Sequence, residues 1–247
     1  MQLYKKTKTY FETKMINKIL FLSSIFLFSL VFNSDVLPHL NENGININLD
    51  EVKIGQDYFP TDPKLKLVYN SSMGEAYAEI KKKGKSYIMD LRNDDFYFVQ
   101  TVHVENDSVF LTKLEQEVDV FLFISSSASV TYNRPYLRFP FPLKKNDSWT
   151  WNGVEYIDEE NPDTIKVSGK VLGREIVETE AGKFDCVKFQ IDINKKNSGT
   201  HTKFYEWRTP KIGLVKLEAF IDSKGFIGTI MSLLGYDEMI FELKEIL

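Results

Sequence analysis

Apolar and polar residues alternate along most of the chain from Asp57 onward, with the two-residue period of β-strands. Leu65, Leu67 and Tyr69 share one face of a predicted strand, whereas residues 96–104 are apolar on both faces and need cover on both sides. Turn residues separate about fourteen such segments, at intervals of roughly 8–12 residues. The pattern predicts a mainly β fold: a large curled antiparallel sheet, as a half-barrel or barrel-like meander, after an N-terminal hydrophobic helix.

Turn dipeptides between these segments predict hairpin connections. Lys83-Gly84, Asn106-Asp107, Asn152-Gly153 and Ala181-Gly182 carry residues that tolerate positive φ or favour tight reversals. The segment 134–142, RPYLRFPFP, combines three prolines with three aromatic residues. Because proline cannot donate a hydrogen bond into a central ladder, this segment is expected to be a crossing segment or a sheet edge.

The N-terminus carries an export signal. Residues 19–32 contain only Ile, Leu, Phe, Val and Ser and follow Lys14 and Lys18. The uncharged stretch before Asp35 would form a helix of about 24 Å, against a hydrocarbon core of about 30 Å. Residues 1–34 are therefore predicted to be a signal peptide or an N-terminal anchor, with Met15 as an alternative start that would leave residues 1–14 outside the protein.

Three segments follow from this division of the chain. After residues 1–34 come a flexible linker at 35–56 and a single antiparallel β domain at 57–247. We expect an exported protein, periplasmic or extracellular, or anchored to the inner membrane through residues 19–32 if the leader stays uncleaved. A lipid-modified cysteine is excluded, because the only cysteine, Cys186, lies far from the apolar run.

Charge argues against nucleic acid as a partner. The whole chain has a net charge of −4. Removal of residues 1–34 takes away five lysines and one glutamate, which leaves 26 basic and 34 acidic residues and a net charge of −8. Binding to a phosphate backbone depends on dense Lys and Arg surfaces, and the short lysine runs here adjoin turn residues.

No catalytic or metal-binding motif is recognisable. The three histidines, His39, His103 and His201, are far apart, and none lies in a G-x-S-x-G context. One cysteine and three separated histidines give no metal-ligand spacing. Cys186 has no neighbouring histidine and is interpreted as a small buried residue on a strand. We predict a non-enzymatic protein without a cofactor or metal.

Large aromatic residues cluster around the proline-rich segment and the later strands. They have two interpretations: they form the hydrophobic core, or they line an apolar groove on the concave face of the curled sheet. Under the second interpretation the candidate ligand-binding residues are Tyr132, Tyr136, Phe139, Phe141, Trp149, Trp151 and Trp207.

Three ordered blocks resemble a known group of proteins. Residues 141–149 (FPLKKNDSW), 177–188 (VETEAGKFDCVK) and 205–216 (YEWRTPKIGLVK) are similar to conserved stretches of the TapB-like group of exported bacterial proteins of unknown function. The resemblance covers roughly residues 57–247 and is strongest at 139–218. It implies an envelope protein with a curled antiparallel sheet, distantly similar to the half-barrels of lipoprotein carriers.

These observations leave three hypotheses about function. The first is an exported, non-enzymatic envelope protein that binds an apolar small molecule or lipid on its curled sheet. The second is a structural or assembly protein that binds another envelope protein through a sheet edge or surface. An enzyme is the third, and it would require catalytic groups that converge only in space.

Overall fold

A computed structural model of the protein describes residues 53–121, 124–222 and 238–247, without the side chains of 118–126, 160 and 161. These ranges contain one turn of 3₁₀ helix, Gln56–Tyr58, and twelve β-strands. The strands are β1 (Lys66–Ser71), β2 (Gly74–Lys83), β3 (Ser86–Arg92), β4 (Phe96–Glu105), β5 (Ser108–Phe121), β6 (Ile124–Pro140), β7 (Ser148–Ile157), β8 (Glu160–Thr179), β9 (Gly182–Lys195), β10 (His201–Thr209), β11 (Gly213–Asp222) and β12 (Glu238–Ile246).

The twelve strands form a closed antiparallel barrel. Each strand pairs with its neighbours in the chain, and β1 pairs with β12 to complete the ring. The closing register runs from Leu67 opposite Ile246 to Ser71 opposite Phe241. The predicted mainly β, barrel-like meander is thus confirmed, in its closed form. The predicted hydrophobic helix lies outside the described residues, as do residues 226–234, for which the alternating pattern also predicts a strand.

The barrel interior is the hydrophobic core, and the sequence period explains why. On β11, Val215, Leu217, Ala219 and Ile221 are buried on one face, while the intervening residues are more exposed. The same alternation on the other strands directs apolar side chains inward, where they form one large cluster. None of the described ranges contains a helix with the length and hydropathy needed to cross a bilayer.

Most of the predicted tight turns form as expected. Asn106 and Asp107 adopt φ of 48° and 61° between β4 and β5, and Gly84 and Gly182 have positive φ at two further hairpins. The prediction of a turn at Asn152-Gly153 was wrong, because both residues lie within β7.

Two glycines lie inside strands because tryptophan rings occupy the space above them. A Cβ atom on Gly153 would collide with the indole of Trp151, and one on Gly169 would collide with the indole of Trp149. Trp149 and Gly169 are direct partners in the β7–β8 ladder. Glycine is therefore required here by the close approach of a ring rather than by a turn.

The proline-rich segment belongs to the sheet, contrary to the expectation of a crossing segment. Residues 134–140 form the second half of β6 and pair with β5, where Phe139 lies opposite Val109. Towards β7, however, β6 pairs only through Val130, Thr131 and Tyr132. The segment is thus an edge on one side, which agrees with the alternative prediction from its prolines.

The chain before β1 closes one end of the barrel. Ile54, within the predicted linker, exchanges two backbone hydrogen bonds with Leu143 at 2.8 and 2.9 Å. The Asp57 carbonyl accepts a hydrogen bond from the Lys211 amide, between β10 and β11. Phe59 packs against Phe139 inside the barrel. This end segment, residues 54–60, is therefore held by strand β6 and by the loops that follow β6 and β10.

The glycine–tryptophan pairing yields a stability prediction. We expect Gly169→Ala to lower the free energy of unfolding by about 1–3 kcal/mol, because the new methyl group must displace the Trp149 indole in a packed core. Urea unfolding followed by tryptophan fluorescence measures this difference.

Gly173→Ala is the matched control in the same strand. A Cβ at Gly173 meets no atom within 4 Å, and its φ is not positive. Its stability should stay the same or rise by about 0.4–1 kcal/mol, because alanine restricts the unfolded chain. Equal effects of the two substitutions would contradict the ring-contact explanation.

Candidate functional site

A cavity of about 230 Å³ lies inside the barrel. All twelve described strands contribute to its wall, together with residues of the end segment and of the loop between β10 and β11. Most of the lining is apolar, as expected where inward-facing side chains of a closed sheet meet. Representative apolar lining residues are Leu67, Met89, Phe98, Leu111, Leu217 and Phe241.

A cluster of three charged side chains interrupts this apolar wall. Arg138 on β6 donates a hydrogen bond to Oε1 of Glu206 on β10, and Arg208 Nε donates to Glu206 Oε2 at 2.7 Å. The three side chains are 14%, 1% and 9% exposed for Arg138, Glu206 and Arg208. We call these residues the arginine cluster; with two guanidiniums and one carboxylate, it carries one excess positive charge.

The surroundings of the arginine cluster combine aromatic rings with neutral hydroxyl groups. The Arg208 guanidinium lies 4.9 Å from the Phe59 ring centroid and 5.1 Å from that of Phe139. Burial raises the pKa of the Tyr69 and Tyr136 hydroxyls, so both are neutral at physiological pH.

Glu206 remains a carboxylate despite its burial. Burial alone would raise its pKa, but the adjacent guanidiniums of Arg138 and Arg208 outweigh this effect and lower the pKa below its usual value. The buried charge is therefore stabilised by its two partners, as buried charges require.

A second ionic pair lies elsewhere in the cavity wall. Lys195 Nζ is 2.5 Å from Glu155 Oε1, and both side chains are less than a tenth exposed. Tyr132 lies near this pair, and burial, followed by the charge of Glu155, raises its pKa well above the usual value. This pair is balanced in charge, unlike the arginine cluster.

The barrel wall has a seam between β6 and β7. The seam consists of residues 133–140 of β6 and 148–154 of β7, which have no ladder with each other. Side chains close it: Arg134 Nε donates to the Asn152 carbonyl at 3.0 Å, and the Val154 amide donates to Asn133 Oδ1 at 2.9 Å. The wall here is held by side chains instead of backbone pairing.

Six of the seven predicted aromatic residues come together along this seam and the adjacent core. Tyr132, Tyr136 and Trp151 are in mutual contact, with ring centroids 5.2–6.0 Å apart. Phe139 contacts Phe141 at 5.4 Å and Trp149 at 5.7 Å. Of the seven, Tyr132 and Tyr136 line the cavity. A ligand role for this set stays a prediction.

Trp207 is separated from the other six. Its indole donates a hydrogen bond to Glu175 and lies 4.2 Å from Lys188 Nζ and 5.5 Å from Lys216 Nζ. These partners occupy the opposite face of β10 from Glu206, because adjacent strand residues point to opposite faces.

The described histidines and the cysteine, which are residues able to act as nucleophiles, bases or metal ligands, do not line the cavity. His103 stacks on Phe110, and His201 lies 3.3 Å from Asp192; His39 is outside the described residues. Cys186 is fully buried, as predicted, and burial raises its pKa to about 12. In residues 53–121, 124–222 and 238–247, no three His, Cys, Asp or Glu side chains are placed to hold a metal ion.

The arginine cluster was not predicted from the sequence. One signal was present: Thr202, Phe204 and Glu206 share one face of β10 by simple alternation, which places a carboxylate beside an inward-facing phenylalanine. The same alternation continues to Arg208, which lines the cavity together with Glu206. Arg138 lies in the segment 134–142, for which a crossing segment and a sheet edge were both predicted, so the sequence did not assign its face.

Comparison with known families gives a partial match. A family described as DUF3108-like matches residues 126–232, which is less than half of the chain. The three blocks at 141–149, 177–188 and 205–216 all fall within that range. The chain is therefore similar to this family over most of β6 to β11, whereas the resemblance to the TapB-like group stays a prediction. No curated protein matches the chain.

Three solved structures resemble the barrel at low sequence identity. The hypothetical lipoprotein YmcC from Escherichia coli K12 has a TM-score of 0.42 and 10% identity, covering 84% of this chain and 98% of that one. A candidate lipoprotein from Parabacteroides distasonis has a TM-score of 0.41 and 16% identity, covering 77% and 98%. A candidate exported protein with a YmcC-like fold from Bacteroides fragilis has 0.41 and 14%, covering 76% and 97%. Likeness at this level assigns no function to the present chain.

The depressed pKa of Glu206 predicts acid sensitivity. A carboxylate with a lower pKa in the folded state stabilises the fold above its unfolded pKa of about 4.3, and this stabilisation is lost as pH falls through the folded value. Glu206→Gln should lower the free energy of unfolding at pH 7 by about 3 kcal/mol, because two buried guanidiniums lose their counter-charge. The variant's stability should also depend less on pH below about 4.3.

Urea unfolding between pH 7 and pH 3 measures both effects. Glu178→Gln serves as the control, because Glu178 forms an exposed pair with Lys183 and such pairs contribute little. If Glu206→Gln retained the wild-type dependence on pH, the ionised state assigned to Glu206 would be wrong.

Proposed function

We propose that this protein is an exported, non-enzymatic protein of the bacterial envelope that holds a hydrophobic ligand inside its barrel. The observation that carries the proposal is the cavity, lined mainly by apolar side chains from all twelve described strands. Interiors of small barrels are ordinarily filled by side chains, so open space of this size favours an occupant. The ligand site is the barrel interior rather than one face of an open sheet.

The seam supports the same function by offering an access route. Opening the wall there breaks few backbone hydrogen bonds, since β6 and β7 share only three residue pairs. The aromatic rings of Tyr132, Tyr136 and Trp151 would contact an apolar ligand as it passes. This route gives the predicted aromatic residues a role in binding.

Export is proposed from the sequence. The apolar run at 19–32, preceded by lysines, is typical of a signal peptide or an uncleaved anchor. The protein would be periplasmic or extracellular, or attached to the inner membrane through this run. Binding to another envelope protein stays a second prediction, for which the described residues offer no specific observation.

Filling the cavity tests ligand binding. Ala78 lines the cavity on β2, and Ala78→Phe would place a ring in the space proposed for the ligand. We expect the wild-type protein, purified from the envelope of expressing bacteria, to retain an apolar molecule detectable by native mass spectrometry. The variant should retain at least tenfold less, because overlapping volumes exclude each other in a packed interior.

Thr164→Phe is the matched control, because Thr164 is exposed on β8 and the same ring would point to solvent. If Ala78→Phe does not fold, Ala78→Leu makes a smaller change at the same place. Absence of any retained molecule in the wild-type protein, together with no binding of a fluorescent fatty acid, would overturn the proposed function.

A further inference from the structure

The arginine cluster has more positive than negative charge, and its three side chains are largely buried. Within the described part of the chain, Glu206 is the one carboxylate that forms an ion pair with Arg138 or Arg208. Arginine cannot discharge itself by losing a proton in a protein. A buried, uncompensated charge is costly, so the cluster favours an anion as a third partner.

The two guanidiniums also have hydrogen-bonding capacity left for that anion. Each carries five N–H donors, and the protein partners of both side chains are Glu206, the Tyr58 carbonyl at 3.4 Å and the adjacent Tyr136. Among the described residues, these contacts leave several donors of the pair without a protein acceptor. Guanidiniums bind carboxylate and phosphate groups through paired N–H donors.

Other charges in the wall do not compete for this role. The Glu155–Lys195 pair is neutral as a whole. Glu79 and Asp90 also line the cavity, and their charges are balanced by ion pairs with Lys81 and Arg92. The excess positive charge of the cavity is therefore concentrated at the arginine cluster, next to an apolar wall.

We propose that the ligand is a single-chain amphiphile with an anionic headgroup, bound with its carboxylate or phosphate at Arg138 and Arg208 and its chain along the apolar wall. This inference rests on the proposed function and specifies its ligand class. The cavity volume of about 230 Å³ lies below the roughly 300–1,000 Å³ of ordinary ligand pockets. One chain fits such a space better than the two chains of a phospholipid.

Binding of four probes to the same protein tests the headgroup. The protein is purified from the envelope of expressing bacteria in a non-ionic amphipol and depleted of retained lipid. Isothermal titration then compares decanoate, decyl phosphate, decanol and inorganic phosphate. We expect decanoate or decyl phosphate to bind at least tenfold more tightly than decanol, which has the same chain without the charge. Inorganic phosphate should bind at least tenfold more weakly than either.

Substitutions in the cluster should shift anion affinity in opposite directions. Arg138→Gln and Arg208→Gln each remove the excess charge but leave Glu206 with one partner, so decanoate affinity should fall roughly tenfold or more. Glu206→Gln increases the excess charge, so decanoate should bind roughly tenfold more tightly and raise the melting temperature more than in wild type. Decanol binding should change less than threefold in all three variants.

Arg174→Gln is the matched control, because Arg174 binds Asp185 and does not line the cavity. If one arginine variant fails to fold, the other and Glu206→Gln still decide the question. Equal affinity for decanol and decanoate, or weaker decanoate binding by Glu206→Gln, would overturn the anionic headgroup but keep the apolar ligand. Equal binding of inorganic phosphate would overturn the amphiphile, and binding of no probe would overturn the proposed function as well.

Discussion

The pairing of β1 with β12 is the constraint on which the rest of the structure depends. Without it the meander would be an open sheet with two exposed edges, and its apolar face would need other cover. The five register pairs from Leu67–Ile246 to Ser71–Phe241 join the two ends of the domain and enclose the inward-facing side chains. Closure converts one face of a sheet into an interior, which holds both the core and the cavity.

Among the described strands, backbone pairing around the barrel is incomplete between β6 and β7, where prolines and aromatic side chains are concentrated. Between β6 and β7 the ladder stops after Tyr132 and Glu155, and side chains take over the wall. Pro135 and Pro140 suit this part of β6, because a residue without an N–H loses nothing at an unpaired edge. The aromatic cluster of Tyr132, Tyr136 and Trp151 packs where backbone pairing ends. Its rings fill the gap in the wall, but no backbone hydrogen-bond ladder joins the two strands there.

The interior combines apolar packing with buried ions, which together define what the barrel can bind. An apolar lining alone would not distinguish among hydrophobic molecules of suitable size. Arg138, Glu206 and Arg208 add a fixed charge whose donors are aimed from two strands far apart in sequence. For the ligand proposed above, the apolar wall would supply affinity, and the arginine cluster would supply orientation and selectivity for charge.

The sequence by itself determined the β class, the meander and turns such as Asn106-Asp107, because alternation and turn chemistry are local properties. From proline's missing donor it also offered an edge as one of two alternatives for residues 134–142. Only the tertiary structure decided that the sheet closes, that Gly153 and Gly169 lie under tryptophan rings, and that Arg138 meets Glu206. These features depend on pairing register and on bulges such as the one at Arg138, where Leu137 and Phe139 pair with consecutive residues of β5.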